Sequence, residues 1–292
     1  MTNKFRYLCL AVIPLFLVAC IDTQNVTTFA SSVLVVTSAT SKITASDRTT
    51  CANINATLAE IQTLPKIKEM GDFGTANCTE LDKTLKAIEG INTVLANYGQ
   101  ALNDISQSTF INYDSDVTSL KGVLNSLPAA QKPTQDQINA VSGLAGWIAS
   151  LATEEKRDEA IKDAMEGNNG EMRDNFHKVV SLLKQLNDQY SEGLEINAKI
   201  TQSSLNLVSH FYGNSEPLAV AEHSLRVAAN TTVSADQEAA VKQYDKALDG
   251  MSNAFDAASK NQTTKELLTE VRDFAKQART MYQSVSKAFP NS

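Results

Sequence analysis

From Val26 to Ile43 the chain places Val26, Phe29, Val33, Val36, Thr40 and Ile43 at alternating intervals of three and four residues. An α-helix brings such positions onto one side, and a mean step of 3.5 residues makes that side a seam for a neighbouring helix. A half-buried strand would instead alternate with period two. The spacing resumes at Ile54, Leu58 and Ile61. It recurs over Leu81, Leu85, Ile88, Ile91, Leu95, Tyr98, Leu102 and Ile105, and over Met172, Phe176, Val179, Leu183, Leu186, Tyr190 and Leu194. No strand-period run outcompetes these segments. The pattern predicts an all-α fold, an elongated antiparallel helical bundle with coiled-coil-like packing of long helices.

Punctuation agrees with periodicity. The chain holds only 12 Gly and 6 Pro in 292 residues, so turns are few. Residues 23–63 read as one long helix or two colinear ones, although the Thr/Val-rich stretch Val33–Thr40 has weak helix propensity. Residues 64–78, with Pro65, Gly71 and Gly74, read as a loop. Helices follow over 81–105 and 114–127, and Pro128 to Pro133 is a break. Thr134 to Gln137 has capping-box spacing and opens a helix expected to reach Met165, before a turn at Gly167–Gly170. Another helix runs from Met172 to about Phe211, and a shorter one from Ser215 to about Ala229. The last two open at Ser234–Gln237 and Thr263–Glu266. The final helix shows Leu268, Val271, Ala275, Ala278, Tyr282, Val285 and Phe289 as its seam. Residues 25–290 are expected to form a single helical-bundle domain. The break at 128–133 leaves open a division into two lobes.

The amino terminus has a different character. Lys4 and Arg6 precede an apolar run from Tyr7 to Ala19, too short to span a bilayer but of the length of a secretory signal core. The run closes on Leu17-Val18-Ala19-Cys20. Here the chain resembles bacterial lipoproteins, whose lipobox reads Leu-x-Ala/Gly-Cys. The resemblance implies removal of residues 1–19 as a signal peptide, a diacylglycerol thioether on Cys20 and acylation of the new amine. Residues 20–24 would be a lipidated tether. Each buried CH₂ of the acyl chains adds roughly 0.8 kcal/mol to membrane affinity, so two or three chains hold firmly. In such lipoproteins an Asp directly after the lipidated Cys commonly retains the protein in the inner membrane. Ile21 stands there and Asp22 one place later, which implies the outer membrane, facing the periplasm or the cell surface.

Of four cysteines, Cys9 leaves with the signal and Cys20 takes lipid. Cys51 and Cys78 remain as an even pair in an oxidising compartment, and a Cys51–Cys78 disulfide is expected. Closing that loop is worth roughly 3–4 kcal/mol in the chain-entropy model. The rival reading, a redox pair, lacks Cys-x-x-Cys spacing.

Net charge is −7 with no basic block, so no nucleic-acid partner is expected. His177, His210 and His223 show no metal-ligand spacing, and no Gly-x-Ser-x-Gly elbow, phosphate loop or dinucleotide fingerprint occurs. No catalytic residue, cofactor or metal ligand is assigned. The least ordinary segment is 138–152, nearly uncharged and holding the sole Trp. It reads as a mostly buried helix or as a partner or membrane contact through Leu144, Trp147, Ile148 and Leu151. The resulting expectation is a lipid-anchored binding or structural module, its partner an envelope protein, a phage or a secreted toxin. Two alternatives are an envelope hydrolase with a site assembled through space, and a membrane-active rod using 138–152.

Overall fold

The computed structural model describes residues 23–69, 78–107, 117–150, 161, 164–165, 170–212, 235–259 and 264–290. Among the described residues every regular element is helical. The elements are α1 (Thr23–Gln62), α2 (Pro65–Lys68), α3 (Cys78–Ser106), α4 (Val117–Asn125), α5 (Gln135–Ser150), α6 (Glu171–Tyr212), α7 (Ala235–Ser259) and α8 (Thr264–Ala288). At 1.5 Å per residue the 40-residue α1 and 42-residue α6 each exceed about 60 Å or equal it, so the bundle is long.

The stretch 23–62 is one helix. Its weak propensity is offset in two ways. The seam residues Val26, Phe29, Val33, Val36 and Ile43 are all buried, so packing rather than propensity holds the helix. Its hydroxyls also bond back to the preceding turn: Ser32 Oγ to the Thr28 carbonyl at 2.7 Å, Thr40 Oγ1 to the Val36 carbonyl at 3.1 Å. α1 packs against α3, α6, α7 and α8 and is the centre of the bundle. One side is left to solvent, carrying Ser31, Ser38, Ala45, Ala52 and Ala59 at the surface.

Directions follow from paired contacts. Thr27 bonds Ser106, Asn92 Nδ2 donates to the Thr37 carbonyl, and Cys51 meets Cys78, so α3 runs antiparallel to α1. Phe29 lies against Phe255 and Thr40 against Tyr244, so α7 is antiparallel to α1 as well. α6 is antiparallel to α7, through His177–Asp256 and Lys184–Asp249, and to α5, through Gln137–Gln185. α6 therefore runs with α1, and the two meet again at their far ends, where Ile61, Ile67 and Val208 form a second small apolar cluster.

Three local outcomes refine the expected boundaries. The region read as a loop contains one helical turn, α2, where Pro65 presets the first-turn φ. Thr134 caps α5 as its capping box predicts: the Thr134 amide reaches Gln137 Oε1 at 2.8 Å. Gly170, at φ +83°, turns the chain into α6. The helix expected over 215–229, the helical stretch 151–160 and most of the Gly167–Gly170 turn lie outside the described residues.

The register of the last helix is corrected. Tyr282 is solvent-exposed and Ala275 only half-buried, whereas Val271, Phe274, Ala278, Met281 and Val285 are buried. Val271, Ala278, Val285 and Phe289 are buried as the spacing predicts, while Phe274 and Met281 take the places expected of Ala275 and Tyr282, because the seam must face both α7 and α1.

At Gly99 of α3 the backbone of α1 comes close. A Cβ there would lie 3.2 Å from the Ala30 carbonyl oxygen and 3.1 Å from Val33 Cγ1. A backbone atom cannot move aside as a side-chain tip can. Gly99→Leu is therefore expected to cost about 3 kcal/mol, read as a lowered urea midpoint. An unchanged midpoint would contradict the close α1–α3 approach.

Candidate functional site

The described side chains offer two places where chemistry and packing meet. The first is an aromatic centre near the start of α1. Phe176 and Phe255 stack at 4.1 Å between ring centroids, and Phe29 sits 5.7–6.0 Å from Phe176, Phe255 and Phe274. Tyr98 joins from α3, and its hydroxyl donates to the Ala164 carbonyl at 3.0 Å. Burial pushes the Tyr98 phenol well above its ordinary range, so it stays a neutral donor. At the rim, His177 Nε2 lies 2.7 Å from Asp256 Oδ1, with the ring edge-on to Phe255. His177 is thus a half-exposed partner of a carboxylate. His210 is exposed, edge-on to Phe211 near the end of α6, and His223 lies outside the described residues.

The segment singled out for a partner or membrane contact packs into this centre. Leu144 and Ile148 are buried, and Trp147 lies 5.2 Å from Tyr98 while half-buried. In this arrangement that face is committed to the bundle. Gly143 permits it, since a Cβ there would meet the Asn175 amide at 2.5 Å. Leu151 and Cys20 lie outside the described residues.

The second place is the joint between α1 and α3. Cys51 and Cys78 form the expected disulfide, with Cα atoms 5.9 Å apart. One turn earlier, Arg48 reaches across to α3, with Nε 3.0 Å from Asp82 Oδ1 and Nη2 2.8 Å from Glu89 Oε2. Lys86 holds the other Asp82 oxygen at 2.7 Å. Hydrogen bonding from Lys86, and then from Arg48, keeps the Asp82 carboxyl below its usual range. These groups are more than a third exposed, so the network fixes register more than it adds stability.

Asp47, beside Arg48, is placed quite differently. It is 8% exposed, in the α1 seam between Ile43 and Cys51. Burial alone pushes its carboxyl from 3.8 up to about 8. Between α6 and α7, Lys184 bonds Asp249 at 2.9 Å, and burial followed by Asp188 raises Asp245. Among the described residues no three His, Cys, Asp or Glu side chains gather as a metal site. Asp47 and the Arg48 network escaped the sequence reading, yet Asp47 occupies the next seam position after Ile43, four residues on. An acidic residue in a heptad seam was the available signal.

Comparison with protein-family models, with curated proteins and with solved structures gives no match for this chain.

Proposed function

We propose that the protein is a bacterial envelope lipoprotein, anchored through lipid on Cys20 in the outer membrane, whose bundle serves as a binding or structural module for another protein. That partner would be an envelope, phage or toxin protein, docking helix against helix. One observation carries the reading. α1 begins at Thr23, so only Ile21 and Asp22 separate it from Cys20. Such a tether spans at most about 10 Å. Lipid on Cys20 would hold the start of α1 at the membrane surface, and a rigid helix would carry a contact surface about 60 Å outward. The described interior, with its stacked rings and aliphatic seams, is built for stiffness along that axis.

Metabolic labelling with palmitate tests the anchor. The wild-type protein is expected to take up label and fractionate with membranes, and Cys20→Ser to lose both. Label retained by Cys20→Ser would reject the anchor. Photo-crosslinking in the native cell then tests the module: a discrete crosslinked protein is expected, and a purified chain with hydrolytic turnover would overturn the reading.

A further inference from the structure

The two sulfurs of the α1–α3 joint occupy unlike surroundings. Cys51 is 3% exposed, inside the seam of α1. Cys78, on α3, is half-buried. Asn55 Nδ2 donates a hydrogen bond to Cys78 Sγ at 3.0 Å, a contact that favours negative charge on this sulfur. Cys78 is thus the less buried of the two residues, and its sulfur is the one that accepts a hydrogen bond.

Cys51 has a different neighbour. Asp47 lies four residues before it, one turn away on the same buried face, which sets their Cβ atoms about 5–6 Å apart. Asp47 makes no hydrogen bond or ion pair among the described residues. The surrounding charged and titratable groups are turned elsewhere. Arg48 is held by Asp82 and Glu89 of α3. Tyr244 of α7 accepts a hydrogen bond from Thr40, and Asp236 at the start of α7 pairs with Lys287 of α8. With its carboxyl raised to about 8, Asp47 carries a proton at neutral pH.

We propose that Cys51–Cys78 is a chemically asymmetric, reducible disulfide: a thiol reductant attacks Cys78, and Asp47 donates a proton to the departing Cys51 sulfur. The reductant is of the dithiol class. Its thiolate forms a bond to Cys78 Sγ as the Cys51–Cys78 bond breaks. The electron pair leaves with Cys51 Sγ, which takes the Asp47 proton and becomes a buried neutral thiol. The reductant's second thiol, once deprotonated, attacks its own sulfur in the mixed disulfide and releases Cys78 as a thiolate beside the Asn55 amide. The protein has gained two electrons, and the reductant has become a disulfide. Asp47 recovers its proton from solvent. Reduction would remove the covalent link between α1 and α3 at this joint and leave the Arg48 pairs as its cross-helix tie.

The test uses the full-length protein and dithiothreitol, with reduction followed by rapid alkylation and mass analysis. At pH 6–7 Asp47→Asn is expected to slow reduction of the folded protein by about tenfold or more, with no difference once both proteins are unfolded in denaturant. The wild-type-to-variant ratio should shrink toward one above pH 8, as Asp47 ionises. Reduction limited by unfolding predicts the opposite, a ratio that grows with pH, and that trend overturns the proposal, as do equal rates at pH 6–7. Oxidised glutathione tests the polarity. Cys51→Ser should acquire a mixed disulfide at Cys78, while Cys78→Ser should leave folded Cys51 unmodified; an adduct on Cys51 in the folded protein overturns the assignment.

Discussion

Raising the pH from 4 to 8 is expected to weaken the fold by about 5 kcal/mol through Asp47 alone. Unfolded, this carboxyl ionises near its ordinary value of 3.8; folded, burial holds it protonated until about pH 8. Between those values the native state binds one more proton than the unfolded state, so each pH unit removes about 1.4 kcal/mol. The stability is fully present below 3.8 and lost as pH rises through 8. Asp47→Asn keeps the shape, removes the titration and should flatten the slope. Urea midpoints at several pH values, compared between wild type and variant, isolate this residue. Asp245 contributes with the same sign, and the exposed Asp82 weakly with the opposite sign, but both cancel in the comparison. Parallel profiles for the two proteins would show that Asp47 is not buried as the structure has it.

How far the fold was legible depended on where side chains alone decide the face. In α1 and α3 the seams were readable to the residue. Phe29, Ile54, Leu85, Tyr98 and Leu102 are all buried, and each stands in an uninterrupted three-four spacing. The joint between those helices was readable from the cysteine count and the oxidising compartment that the lipobox resemblance implies. The last helix was not, because two seams overlap there. Leu268, Val271, Ala275, Ala278, Tyr282, Val285 and Phe289 obey the spacing, and so do Val271, Phe274, Ala278, Met281 and Val285, which differ only at Phe274 and Met281. Spacing cannot choose between them, whereas contact with α1 and α7 can. The larger Phe274 beside Ala275, and Met281 with no hydroxyl beside Tyr282, were the cue. Asp47 was invisible for a related reason: periodicity searches look for apolar residues, and a charged residue at a seam position registers as a gap. The chemistry around Cys51 therefore emerged only when the helices were placed together.

The seam of α8 and the aromatic centre make a joint forecast. Phe29→Ala should cost about 4 kcal/mol, within the range for deleting a buried Phe ring. It is fully buried and touches three rings on three different helices, α6, α7 and α8. No single neighbour can relax into the space without abandoning the Phe176–Phe255 stack. Phe274→Ala should cost nearly as much, since Phe274 is the α8 contribution to the same centre. Tyr282→Ala, eight residues on and at the surface, should stay within about 0.5 kcal/mol of wild type. Chemical denaturation at pH 6, where all three variants keep Asp47 protonated, measures the set. If Tyr282→Ala proved as costly as Phe274→Ala, the seam of α8 would lie where spacing alone had put it. Losses of under 1 kcal/mol for Phe29→Ala would mean that α1 is not the element around which the other helices close.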